Sequence, residues 1–279
     1  MRPALHTLMF SGYPLERVAP IVREIGYDGV ALMCQPPHLD LDDPVKSART
    51  AAAVLADSGV QVVGLASGLG RPESFEGRDA ESELEGVSRA VEAATILGAG
   101  LLRLWGGPDG STVDDSQGLM AATRWYRRAA SIAGDGGVRV TIEIHSIGFA
   151  SSAAATCQLV DAIDHPNIGA ALDTGNLHAA VGSTSAADVQ LLGTRVADVH
   201  VKDLRGVASG EQHTLAINDR CYVHTPMGEG EVRNGEILAA LAEFGYSGWV
   251  ANESECKWMR WEDSVKAARH EYEALTDLV

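Results

Sequence analysis

The sequence predicts an α/β fold, a single (β/α)8 TIM barrel spanning residues 1–279, and three observations carry that reading. Short apolar, β-branched runs alternate with longer stretches of helical period. Eight such runs can be counted, and glycine punctuates the ends of the helical stretches between them. The chain of 279 residues is also close to the roughly 250 that such a barrel needs, leaving room for modest loop insertions.

The predicted strands fall at residues 5–10, 29–33, 60–65, 101–105, 138–144, 168–172, 196–201 and 248–252. Between them, stretches such as 15–25 and 237–244 place apolar residues at helical spacing, as a helix covering the outside of a barrel requires. Gly26, Gly59, Gly98 and Gly245 follow these stretches, where glycine suits the left-handed backbone that ends a helix. A doubly wound open sheet would share the alternation, but no G-x-G-x-x-G follows the first run. Two segments, 68–81 and 206–230, are rich in glycine, charge and turn formers, and they are expected to overhang the barrel mouth as lid-like loops.

Composition narrows the function classes. With 46% hydrophobic residues and a mean hydropathy of −0.01, the chain lies far from the disordered regime. No apolar run approaches the roughly 18 residues of a membrane span, and the start lacks a signal-peptide core, so a cytoplasmic protein with no membrane partner is expected. Cys34, Cys157, Cys221 and Cys256 are widely spaced with no C-x-x-C pair and read as ordinary reduced thiols. A formal net charge of −16 argues against nucleic acid, because phosphate binding relies on Lys and Arg. The expected partner is a small sugar or polyol, and a homo-oligomer is compatible with the sequence.

The chemistry should lie at the carboxyl ends of the strands, where barrel enzymes carry their sites and alternate side chains point inward. The fifth run ends Thr141-Ile142-Glu143-Ile144-His145, which puts Glu143 and His145 on the face opposite the isoleucines. The sixth runs directly into Asp173. In the seventh, Asp198, His200 and Lys202 alternate with valines, and the eighth ends at Glu253. Three carboxylates and an imidazole on successive strands would repel and desolvate one another, whereas one divalent cation offsets both costs. The oxygen-rich, thiolate-free set suits Mn2+ first, with Mg2+, Co2+ or Zn2+ as alternatives.

With those residues in view, the chain resembles the sugar phosphate isomerase/epimerase superfamily, the xylose-isomerase-like barrels that include tagatose 3-epimerase, hydroxypyruvate isomerase and inosose dehydratase. The motifs that carry the resemblance are T-I-E-I-H at 141–145, L-D-T-G-N at 172–176, V-H-V-K-D at 199–203, G-E-G-E-V at 228–232 and G-Y-S-G-W-V-A-N-E at 245–253. The resemblance implies Glu143, Asp173, His200 and Glu253 as the ligands of one metal ion. In its epimerase branch it further implies that Glu143 and Glu253 shuttle protons on opposite faces of the substrate. Related chains often carry a glutamate after the second strand, where this one reads Ala31-Leu32-Met33, which implies an altered substrate pocket.

A metal held by vicinal oxygens of a hydroxyketone favours an enediolate once a neighbouring carbon loses its proton. Return of the proton then decides between epimerisation and isomerisation, and loss of a β-substituent gives dehydration or lyase chemistry. The expected activity is a metal-dependent sugar isomerase or epimerase. The alternatives are a dehydratase or lyase on a keto-sugar or keto-inositol, and a non-catalytic metal-containing barrel that binds a sugar. His145 is expected either as a base or as a histidine orienting a ligand. Trp105 reads as a pocket wall or as core, His178 as a substrate contact or a solvated loop residue, and Lys202 as a substrate contact unless it meets an acid.

Overall fold

The fold was analysed in a computed structural model, which describes residues 1–217, 219–254 and 260–279, so Cys256 lies outside the described residues. Parallel strands β1 (Arg2–His6), β2 (Gly29–Met33), β3 (Gln61–Ala66), β4 (Leu101–Leu104), β5 (Arg139–Glu143), β6 (Ile168–Asp173) and β7 (Val196–Val201) form the barrel wall. A short antiparallel sheet of β8 (Asp203–Val207), β9 (Leu215–Ile217) and β10 (Arg220–Thr225) follows, and β11 (Trp249–Asn252) closes the barrel between β7 and β1. Helices α1 (Leu15–Ile25), α2 (Pro44–Ser58), α3 (Gly77–Leu97), α4 (Ser116–Asp135), α5 (Ala153–Ile163), α6 (Thr174–Val181), α7 (Ala186–Leu192), α8 (Asn234–Glu243) and α9 (Trp261–Thr276) lie between or after the strands. The closed eight-strand barrel is the TIM barrel that the alternation of runs predicts.

The helices form for the reason the spacing suggests. In α1, the buried Leu15, Val18, Ala19, Val22 and Ile25 recur at three- and four-residue intervals, so one stripe faces the wall. The wall is apolar on its outer face and graded on its inner one. Ala4, Ala31, Val63 and Ala251 pack with Trp249 as a small apolar layer. Because strand side chains alternate, His6 and Glu253, two residues beyond Ala4 and Ala251, sit on that same face one step closer to the carboxyl rim. Register completes the placement: Asp173 pairs with His200 across β6 and β7, and His200 with Ala251 across β7 and β11.

Three expectations need correction. The first strand is Arg2–His6, and residues Thr7–Phe10 form a 3-10 turn. An unbroken apolar run does not reveal its own end; pairing of Arg2 to Leu5 with Trp249 to Asn252 fixes it, and the His6 side chain caps the turn by accepting from Leu8 N. Segment 206–230 is not an open loop, since β8, β10 and β9 pair within it as an antiparallel sheet. Segment 68–81 is irregular only until α3 begins at Gly77, and it is tied to the chain after β4 through Trp105 N to Leu69 O (2.8 Å) and Gly107 N to Gly70 O (3.0 Å). Cys34, Cys157 and Cys221 are free. Among the described residues, no helix is long and apolar enough to cross a membrane.

Candidate metal centre

Each of the four expected ligands stands at the end of its own strand. Glu143 ends β5, Asp173 ends β6, His200 lies on β7 and Glu253 follows β11, all at most 4% exposed. One ligand atom from each converges so that all lie within 4.8 Å of one another. The parity argument is thus realised in space: inward-facing positions on neighbouring strands meet at one point of the rim.

The chemistry of the donor set suits a cation. Glu143 Oε1, Asp173 Oδ2, His200 Nδ1 and Glu253 Oε2 are buried and make no hydrogen bond. His200 Nδ1 does approach Glu253 Oε2 (2.7 Å) and Glu143 Oε1 (3.4 Å), but these contacts are not aligned as hydrogen bonds. Buried polar atoms are almost always paired, so four unpaired ones facing one point mark a place for a cation. The remaining atoms are already held. Asp173 Oδ1 accepts from Asn176 N at 2.7 Å, capping α6, and His200 Nε2 faces Asp198 Oδ2 at 3.4 Å. That carboxylate holds a proton on Nε2, so Nδ1 is the nitrogen that would bind a metal once its own proton leaves.

Charge gives the same answer. Among the described residues, Glu143, Asp173, Glu253 and Asp198 face only two permanent cations, Arg103 and Lys202, which leaves two negative charges for a divalent ion to offset. Without that ion, protons take its place. Burial pushes the Asp173 carboxyl up to about 7, with Glu253 and Glu143 adding to the effect and Lys202 opposing it. Burial also opposes protonation of His200, yet Asp198 and Glu253 raise it well above the usual histidine range. The penalty of burial is overcome at Glu143, held down to about 2 chiefly by Arg103, and at Glu253, held well below the usual range by His6, Lys202 and His200. A ligand imidazole must be neutral, so metal binding would expel the His200 proton.

The structure separates the other expected residues. Lys202, 1% exposed, meets acids: its Nζ lies 3.1 Å from Asp173 Oδ2 and 3.8 Å from Glu253 Oε1. Gly175, in the D-T-G-N motif, makes room for it, because a Cβ there would strike the Lys202 stem. His145 leaves the end of β5 half-buried, its ring centroid 4.4 Å from that of Trp105, and the Arg71 guanidinium also lies 4.4 Å from the indole centroid. Arg103 lies over the same indole at 5.4 Å, so Trp105 is joined to Glu143 of the cluster through that guanidinium. His178 is neither in a loop nor solvated. It is buried in α6, with its ring 5.7 Å from Tyr222 of β10 and Nε2 3.9 Å from Glu231.

Sequence reasoning missed two residues of the centre. Arg103, on β4 and 6% exposed, lies with Nε 3.5 Å from Glu143 Oε2 and donates to Ser67 O at 2.7 Å. Its only sequence signal was a cation inside an apolar strand. His6, at the end of β1, was hidden inside a run read as strand, although an imidazole flanked by leucine and threonine near a strand end could have been flagged.

Comparison with known proteins agrees with this fold. A family model described as xylose isomerase-like TIM barrel matches residues 20–278. The chain belongs to that family. Solved structures similar to this family member include the probable 3-DHS dehydratase AsbF of Bacillus anthracis, at 17% identity and a TM-score of 0.77 over 99% of both chains. D-allulose 3-epimerase from Methylomonas sp. is 17% identical, with a TM-score of 0.77 over 100% of this chain and 98% of that one. The IolI protein with a bound zinc atom is 18% identical, with a TM-score of 0.77 over 100% and 98%. No curated protein sequence matches the chain.

Proposed function

We propose that the protein is a divalent-metal-dependent isomerase or epimerase of a ketose-like sugar or polyol, with Glu143, Asp173, His200 and Glu253 holding the ion, Mn2+ first among the alternatives. The observation that carries this reading is the convergence at the carboxyl rim of four buried donor atoms that make no hydrogen bond. Similarity to sugar epimerases and to a zinc-containing barrel supports it. When bound, a divalent cation would polarise the substrate carbonyl and offset the charge that develops as a neighbouring C–H is broken.

The chain's own groups then divide the work. Glu143 and Glu253 approach the centre from β5 and β11 and are both held ionised, so either can accept the proton and the other, once protonated, can return one to the opposite face. Arg103 and Lys202 keep these carboxylates charged in a buried setting. Asp198 holds His200 in the ligating tautomer. Trp105, with His145 and Arg71 against its ring, would wall one side of a sugar-binding pocket.

A dehydratase on a keto-sugar or keto-inositol is the second reading, favoured by one observation. His145, half-buried beside Trp105, supplies a third proton carrier that epimerisation does not require and a departing hydroxyl would use. Incubation of the Mn2+-loaded protein with a panel of ketoses and inososes in D2O separates the two: deuterium gained at constant composition supports proton return, and a product lighter by one water supports elimination. Glu143→Gln and Glu253→Gln should abolish either activity while leaving the fold intact. Turnover unchanged in both variants would leave only a sugar-binding barrel.

A further inference from the structure

His6 lies against the metal centre and is fully buried, yet its Nε2 makes no hydrogen bond. With His200 and Glu253 it forms a second trio whose donor atoms fall within 4.8 Å of one another, which by distance alone would make it a fifth ligand. The hydrogen bonding of the ring says otherwise. His6 Nδ1 accepts the backbone N–H of Leu8 at 3.2 Å, at the entry to the 3-10 turn. A nitrogen that accepts a hydrogen bond carries no proton, so the proton of the ring sits on Nε2, and a protonated nitrogen has no lone pair to give a metal.

We infer that His6 is a positioning residue: its Nε2–H lies 3.7 Å from Glu253 Oε2, too far for a hydrogen bond, and by charge–dipole attraction favours the ligating orientation of that carboxylate. The inference rests on the metal-centre reading above. Two histidines meet edge to face, ring centroids 5.3 Å apart, in opposite tautomers. With a metal in place His200 would turn Nε2–H to Asp198 and a bare Nδ1 to the ion, while His6 turns Nδ1 to Leu8 and carries its proton on Nε2. The same Glu253 oxygen lies 2.7 Å from His200 Nδ1 and 3.7 Å from His6 Nε2. One imidazole is placed to share a cation with the carboxylate, and the other to fix the carboxylate for it. Loss of a partner that orients a metal ligand from outside typically changes metal affinity by about 10- to 100-fold.

Two variants test the role in the full chain. His6→Asn keeps an acceptor for Leu8 N–H, since Asn is a favourable cap, but does not reach Glu253; His6→Gln extends an amide N–H to about the position of Nε2. Chelator-stripped protein is titrated with Mn2+ by calorimetry, and the Co2+ form is followed by visible absorption. Mn2+ affinity should fall about tenfold in His6→Asn and return to within about threefold of the parent in His6→Gln, with one Co2+ coordination number throughout. Unchanged affinity in His6→Asn overturns the positioning role, and a lost Co2+ ligand in that variant shows His6 to be a ligand after all. A parent protein that binds no Mn2+ removes the metal-centre reading itself, a result distinct from either. Independently of any variant, long-range 1H–15N correlation on the 15N-labelled parent reads the ring directly, and a bare Nε2 on His6 overturns the inference.

Discussion

Asp173 and Asp203 are both buried aspartates near the mouth of the barrel, and their surroundings could hardly differ more. Asp203 accepts four backbone N–H groups, from Leu204 and Val232 on Oδ1 and from Gly228 and Gly230 on Oδ2, all between 2.9 and 3.0 Å. Asp173 accepts one N–H on Oδ1, and its Oδ2 makes no hydrogen bond although Lys202 Nζ stands 3.1 Å away. The satisfied carboxylate is a structural knot that ties the strap 228–232 to the start of β8, and it explains the G-E-G-E-V motif, because a Cβ at Gly230 would collide with the Asp203 carboxylate. The unsatisfied one is held in place by the fold and left with an oxygen to offer a ligand. Motif residues that look alike in sequence are thus told apart by whether their last lone pair is used.

That contrast can be broken in order of expected effect. Glu143→Gln removes a ligand and a proton carrier and should lower kcat/KM by about 10³-fold or more, equivalent to about 4 kcal/mol, in steady-state kinetics with the Mn2+-loaded protein. Asp203→Ala should instead unfold more easily by about 3–5 kcal/mol in urea titration, because it orphans four backbone donors, while the folded fraction keeps its Mn2+ affinity. If Asp203→Ala lost Mn2+ binding and kept its stability, the assignment of roles would be reversed.

Metal removal sharpens the same comparison. Mn2+ at about 100 times its Kd should stabilise the parent by about 2.7 kcal/mol over the chelated protein, read as a shift in thermal midpoint. Asp203→Asn should retain that increment on a lowered baseline, and Asp173→Asn should lose it on a baseline close to the parent's.

The smallest effect concerns pH and a third buried carboxylate. Glu271 on α9 accepts from Asn252 Nδ2 at 2.8 Å and from Met227 N at 3.2 Å, but burial pushes its carboxyl above the ordinary 4.5. The folded protein therefore binds this proton more tightly than the unfolded chain. The stability it contributes is fully present below pH 4.5 and is lost as pH rises through the folded-state value. Glu271→Gln should lack that decline, so urea midpoints of parent and variant should draw apart across the acid range. Parallel pH profiles would show that Glu271 takes up no extra proton on folding.

The barrel itself was legible in the chain because its signals are local. Alternating apolar runs, helical stripes such as Leu15 to Ile25 and glycines at helix ends each report on a few neighbouring residues. The four candidate ligand positions were legible for a related reason: inward parity at a strand end is a property of the strand alone, and Glu143, Asp173, His200 and Glu253, which the structure brings within 4.8 Å of one another, each satisfy it. Where a boundary depended on a partner, the reading slipped. Nothing within residues 1–10 shows that the strand stops at His6, and nothing within 206–230 shows that three short segments pair.

What the sequence by itself determined was the cylinder and the identity of the donors that its rim presents. Tertiary structure alone decided which lone pairs those donors keep: Lys202 turned out to face Asp173, His178 to lie beneath Tyr222, and Arg103 and His6 to enter the centre from β4 and β1. The physical reason is that periodicity sets the direction of a side chain along its own strand, whereas the partner it finds belongs to a strand remote in the chain. A hydrogen bond as small as Leu8 N–H to His6 Nδ1, invisible in the order of residues, then settles whether an imidazole can be a ligand or a donor.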